Sequence, residues 1–560
     1  MRLLAALLLA PLALAGQAVG GLSSSQQPAA PAPQYRPEDL CSVEGQVVNS
    51  ETGGPVNKAS LALFPMANGA GRAALSDASG RFAFQNVSPG TYRMMFSRSG
   101  YRTAGTVNDF PIISLERGQK QTGILLRATP LGVVAGRILD GDGDPVAHAP
   151  VQLSRFQYVR GRKQLTRADS AATNDLGEYR FFDIDPGKYL VSATASRMLQ
   201  IATRTGDSTT TNRAMFVVDP GGDEDYAVTF YPGTRDPAAA ARIDIAPGAQ
   251  IQNINIGVLK TRTVSVRGRI GNPALGERLS VTLAPRNSQA PGALTRGATV
   301  DRLGNFELTN VLPGSYVLLA TISQPGKPAY QARGFLEVGT SNVDGVNFPI
   351  SPPTEVRGRI RVEGQYALVF SNLRVSLALR DGDTSFGAAN GKVNDDGSFL
   401  LESVSLERYD VVLAGLPNGC YVKAIRAGDA DVLAAGLDRT GGVGGQIEIV
   451  VNPHAGQISG VVRNQQLDRP AGGAIVALVP QEEERRGREL FYRTATADPA
   501  GGFTLYTVSP GSYKVFAWER IEAGGAYMDP EFVKPVEDKG RPVTIREGDK
   551  PEIQLNVIPR

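Results

Sequence analysis

The chain has 560 residues, a formal net charge of +3, 42% hydrophobic residues, 64 Gly and 37 Pro. That length suggests roughly four to five domains of ordinary size. Lys and Arg (58) are interleaved among Asp and Glu (55), so no broad basic face is implied and nucleic acid is not an expected partner. The Gly and Pro excess stays below that of a disordered polymer and suits many short strands joined by tight turns.

Met1-Arg2 supplies a positive start, Leu3 to Ala15 is almost unbroken apolar sequence, and Ala13-Leu14-Ala15 fits the small-x-small rule of signal peptidase. A cleaved signal peptide over 1–19 is expected, since the run is short for a membrane anchor. Residues 20–40, rich in Ser, Pro and Ala, then read as a flexible tether. The mature chain is expected to be exported (periplasmic, cell-surface or extracellular), with no transmembrane span after signal cleavage.

One pattern recurs five times and organises the rest. Its first copy runs Asp77-x-x-Gly80-x-Phe82-x-Phe84-x-Asn86-Val87-x-Pro89-Gly90-x-Tyr92, and others start at Asn174, Asp301 and Asp498. The copy from Asn394 is degenerate, with Leu406-Glu407 in place of Pro-Gly. Asp or Asn can cap a tight turn, with Gly at its exit. Phe-x-Phe alternates with period two, so both rings face a core. Pro-Gly predicts a type II turn with Gly at positive φ. The Tyr that follows opens a strand, its hydroxyl tied to nearby backbone as in a tyrosine corner. Upstream of each copy stands a strand with an internal Gly: Val43-x-Gly45-x-Val47, Val134-x-Gly136-x-Ile138, Val266-x-Gly268-x-Ile270, Val356-x-Gly358-x-Ile360 and Ile458-x-Gly460-x-Val462. Gly within a strand marks a bulge or a close backbone approach.

These elements predict an all-β chain, a tandem array of about five immunoglobulin-like or prealbumin-like β-sandwich modules of roughly seven strands each. The expected spans are 41–128, 129–260, 261–352, 353–452 (degenerate) and 453–560. Linkers are nearly absent, so end-to-end packing as a semi-rigid rod is expected. The quoted motifs resemble the carboxypeptidase regulatory-like domain, in a repeat protein of exported bacterial type. That resemblance implies a transthyretin-like (prealbumin-like) sandwich, a fold similar to carbohydrate-binding modules.

Catalytic constellations are not found. The only histidines, His148 and His454, stand alone in different modules, and a zinc site or a Ser-His-Asp triad needs clustered partners. Asp140, Asp142 and Asp144 alternate as calcium loops begin, but Pro145 stands where the turn Gly belongs, which favours a solvated turn. No cofactor or metal is expected. Cys41 and Cys420 are either two buried free thiols or one disulfide between distant modules. The single tryptophan, Trp518, shares a strand face with Phe516 near Tyr506. Facing inward these rings are core; facing outward they form a sugar platform. The expected function is non-enzymatic binding or scaffolding, through carbohydrate contact or cell-surface adhesion. The expected partner is a polysaccharide or glycan, or a cell-envelope protein. The alternative is a periplasmic spacer that docks a partner protein.

Overall fold

A computed structural model describes residues 35–66, 71–103, 111–194, 198–200, 215–217, 224–271, 278–286, 295–323, 330–350, 354–380, 389–441 and 445–559. The expected signal peptide and the tether up to residue 34 lie outside the described residues. The tether's last residues form a 3-10 turn, Pro37–Asp39.

The chain is a tandem array of β-sandwiches, each with its own hydrophobic core. It divides into two compact units, 1–130 and 131–560. The first unit holds one module of two four-stranded sheets. One sheet runs Arg81–Val87, Cys41–Asn49, Lys120–Pro130, Tyr101–Thr103; the other runs Arg72–Leu75, Ser60–Pro65, Gly90–Ser97, Ile112–Leu115. The first strand pairs antiparallel with Arg81–Val87 and parallel with the last strand. The same parallel closure of first strand on last recurs in every other module. Alternation along the strands places Val43, Leu61, Leu63, Phe82, Phe84 and Met94 between the two sheets.

The repeated residues build the turns and corners of this frame. Asp77 Oδ1 accepts from the backbone N–H of Ser79 and Arg81, and Asp301 does the same for Leu303 and Asn305. The Gly at each turn exit has φ between +71° and +88° (Gly80, Gly177, Gly304, Gly397, Gly501). The in-strand glycines mark close approach. A Cβ on Gly45, Gly136, Gly268, Gly358 or Gly460 would lie 1.8–2.6 Å from a carbonyl oxygen of the last strand or its lead-in. The five tyrosines of the repeated motif are all corners. Tyr92, Tyr189, Tyr316, Tyr409 and Tyr513 each donate their hydroxyl to the carbonyl four residues back, at 2.7–3.2 Å.

Two expectations need correction. Pro-Gly does not form a type II turn, which would hold Gly at φ of about +80°. Gly90, Gly187 and Gly511 have φ of +148°, +154° and +154° and begin strands. The left-handed residue comes earlier, at Asn86, Asp183, Asn310, Ser403 and Thr507 (φ +55° to +58°), in a β-bulge against the first strand. The carbonyls of Asn86, Asn310 and Thr507 accept from Arg72, Arg296 and Arg493.

The second correction concerns contacts within the second unit. Consecutive modules are joined by ion pairs: Arg296 to Asp225 at 2.7 Å, Arg333 bidentate to Glu407 at 2.8 and 3.0 Å, and Arg488 to Asp410. Modules two and five also touch, which a rod joined only end to end would not allow. The hairpin of Pro150–Val159 and Arg162–Ala172 is long enough to reach the last module. There Gly161 N–H donates to the Gly524 carbonyl at 3.0 Å, and Tyr158 meets Phe532 edge-on at 5.9 Å. A Cβ on Gly161 would lie 2.5 Å from Met528 Cβ, and one on Gly524 1.8 Å from the Tyr158 carbonyl.

Candidate binding surfaces

Trp518 and Phe516 lie on the outer side of the fifth module's second sheet, yet both are interior. Trp518 is 4% exposed, and the two rings stack at 5.3 Å. The segment following Trp518 folds back over them as Ala526–Met528, Pro530–Val533 and Lys534–Lys539. It packs Tyr527, Met528, Phe532, Val533 and Val536 onto Ala477, Val479, Tyr492, Phe516 and Trp518. Lys514, beside Phe516 on the same strand and on the outer face, is bound to Glu537 of this cover. The rings are therefore core, built as a second small core on the outer side of the sandwich. Tyr506 is 49% exposed on Gly502–Val508, in the other sheet, and is not brought together with them.

Cys41 and Cys420 are free thiols buried in the cores of the first and fourth modules. Cys41 Sγ donates to the Glu116 carbonyl at 2.9 Å, and burial pushes the Cys420 thiol up. Asp140 Oδ1 accepts from the backbone N–H of Asp142 and Asp144, so one carboxylate oxygen is committed to holding its own turn. His148 and His454 are exposed loop residues. Among the described residues no group of His, Cys, Asp and Glu is placed to hold a metal ion. No helix among them is long and apolar enough to cross a membrane.

Two open surfaces stand out among the described residues. The third module carries a groove of about 930 Å3 over its Val264–Gly271 sheet, lined by Arg267, Arg269, Asp301, Glu307 and Asn347. Its charges are largely matched internally, since Arg267 pairs with Glu307 at 2.8 Å and Asp344 at 3.5 Å. The other surface is the outer face of the first module's second sheet. Strand register sets three rows across it: Phe64, Arg93 and Ile112; then Ala73, Ala62 and Met95; then Leu75, Ser60 and Ser97. Phe64, Leu75, Met95 and Ile112 are between 39% and 68% exposed. The repeated motif does not reveal this face, because Phe64, Leu75, Met95 and Ile112 all stand outside it. The signal was present in the runs Leu61-Ala62-Leu63-Phe64 and Met94-Met95-Phe96, which are apolar on both faces of their strands.

Comparison with known proteins bears on the first module most directly: residues 42–122 match the carboxypeptidase regulatory-like domain. Colossin-A of Dictyostelium discoideum is 22% identical over 387 residues, 65% of this chain and 3% of that protein, so the chain spans a small fraction of this curated relative's length. Among solved structures, the TIE protein of Bacillus anthracis is 11% identical, with 56% of this chain and 50% of that one covered at a TM-score of 0.16. The minor pilin GBS52 of Streptococcus agalactiae is 13% identical, with 40% and 97% covered at 0.20. The major pilin subunit BcpA of Bacillus cereus is 10% identical, with 76% and 98% covered at 0.14.

Proposed function

We propose that this chain is a non-enzymatic, exported scaffold that holds a partner at the cell surface through the outer faces of its modules. One observation carries the reading: the side chains repeated from module to module are engaged in structure. The tyrosines hold corners, the Asp and Asn side chains hold turns, and the glycines admit neighbouring carbonyls. What differs between modules is the outer surface of the second sheet, covered in one and bare in another. Function placed on a fixed frame sits where the frame varies. Weak contacts on several modules gain avidity from their linkage. Polysaccharide contact is the second reading, favoured by Tyr506, an aromatic ring half in water on the last module.

The test uses the purified mature chain, incubated with isolated cell envelopes and with insoluble polysaccharides, while peptide, ester and glycoside turnover is assayed in parallel. Saturable retention on envelopes without turnover is expected. Retention on polysaccharide abolished by Tyr506→Ala would establish the second reading, and turnover that copurifies with the chain would overturn both.

A further inference from the structure

The bare face of the first module has counterparts elsewhere in the chain, and these indicate what covers it. Strand register aligns the modules through the pair formed by a Pro and the corner Tyr, Pro65 with Tyr92 and Pro480 with Tyr513. Arg93 then corresponds to Lys514, Met95 to Phe516 and Ala62 to Ala477. In the fourth module the same position, one residue after Tyr409, is Asp410. Lys514 is bound to Glu537 of the cover, and Asp410 is bound to Arg488 of the module that follows. In both modules the charge at this position pairs with an opposite charge brought to the sheet by another segment of the chain. Leu190, the equivalent residue of the second module, is buried under Phe230, Val228 and Ala240. In the first module the position is held by exposed Arg93, for which no carboxylate partner exists among the described residues. Phe64 and Ile112 flank it on the neighbouring strands, Met95 lies two residues along its own strand, and Leu75 stands at the far corner of the face, all exposed.

We propose that this face is a docking site for a short segment of a partner protein, one that carries aromatic or long aliphatic side chains and a carboxylate. The apolar side chains seat on Phe64, Met95, Leu75 and Ile112, and the carboxylate meets the Arg93 guanidinium. The arrangement supplies in trans what the segment after Trp518 supplies in cis, where Phe532 and Val533 cover the rings and Glu537 takes the lysine. Apolar burial gives affinity, and the single charge fixes register and selects against basic segments. The proposal deepens the scaffold reading by naming the chemistry of its partner, and it rests on that reading.

The experiment pans a displayed library of short random peptides on the immobilised full-length mature chain, with counter-selection on Phe64→Glu. Retained peptides combining an acidic residue with aromatic or aliphatic ones are expected. Their binding to Arg93→Glu should fall by about tenfold or more. Exchanging the peptide's acidic residue for Lys should restore binding to Arg93→Glu, a rescue that unfolding could not produce. Circular dichroism of both variants checks that the sandwich is intact. Three results would each overturn the proposal: no peptide retained over the Phe64→Glu background, retained peptides indifferent to Arg93→Glu, or Phe64-dependent binding only to anionic lipid vesicles or glycans. Failure here leaves the scaffold reading standing, because turnover and envelope retention test that separately.

Discussion

Gly460 shows how strictly the frame is set at the scale of one residue. A Cβ there would lie 1.8 Å from the Ile553 carbonyl oxygen, which belongs to the parallel strand that closes the fifth sandwich. Gly460→Ala must push that strand away, and overpacking of this kind costs about 1–3 kcal/mol. Gly487→Ala is the matched control, because a Cβ there meets nothing within 4 Å and the residue's φ is −80°; its effect should stay within about 0.5 kcal/mol. Urea unfolding followed by Trp518 emission measures both. The corner tyrosines act at the same scale. Tyr513→Phe keeps the ring but leaves the buried Ser509 carbonyl without its 2.8 Å donor, a loss of about 1–3 kcal/mol in the same assay. Both roles were legible in the sequence. A Gly amid β-branched neighbours weakens a strand unless another backbone must come close, and a Tyr at a fixed offset from Pro-Gly opens its strand at a corner. The arginines that bind the bulge carbonyls were not legible, since nothing local to Arg72, Arg296 or Arg493 shows that the chain turns to meet them.

At the scale of elements, the cover of the fifth module is the instructive case. Residues 519–540 contain only short helical turns, too short to be stable alone, and they hold their shape by packing on the sheet. Trp518 is the only tryptophan and lies beneath them, so its emission reports whether the cover is closed. Phe532→Glu places a charge against the Trp518 ring, 5.9 Å away between centroids. The expected outcome is a shift of emission to longer wavelength and faster acrylamide quenching, with the β-sheet circular dichroism signal retained. An unchanged spectrum would mean that the cover does not shield the ring. The alternation Phe516-x-Trp518 correctly placed the two rings on one face. It could not say that this outward face would be roofed, because the roof comes from sequence with no strand or helix periodicity of its own.

For the second unit as a whole, the contact between modules two and five is the feature to test. Gly161 and Gly524 meet backbone to backbone, both at positive φ, and a side chain on either would force them apart. Gly161→Val should release the hairpin tip and raise the radius of gyration in small-angle scattering, while each sandwich stays folded. The contact also carries a pH dependence. Burial, with Asp529 adding negative charge and a hydrogen bond, pushes the Tyr158 phenol up to about 12. An unfolded tyrosine titrates near 10, so the contribution is complete below pH ~10 and is lost as pH rises towards ~12. Tyr158→Phe cannot ionise and should remove that alkaline opening, although Tyr409 and Tyr492, also pushed up to about 12, still titrate. The ion pairs between neighbours act alongside. Glu407→Ala removes the bidentate carboxylate from Arg333, whose side chain is only 8% exposed and keeps its contact with the Phe335 ring, at a cost of about 2–4 kcal/mol. That is below the figure for a fully buried pair, because Glu407 keeps some contact with water.

The sequence by itself determined what is local and repeated. Period-two alternation, turn residues at fixed offsets and five copies of one pattern specify β-sandwiches in tandem, because each of these properties is settled within a few residues of chain. Only the tertiary structure decided what depends on surfaces meeting across long separations. It placed the Pro-Gly glycine in a strand and moved the left-handed residue to the preceding bulge. It kept Cys41 and Cys420 as free thiols in the cores of different modules, and it roofed Trp518 while leaving Phe64, Met95 and Ile112 bare. It also closed the second module against the fifth. Whether an apolar strand face is covered depends on where another segment comes to rest, and periodicity within the strand does not contain that information.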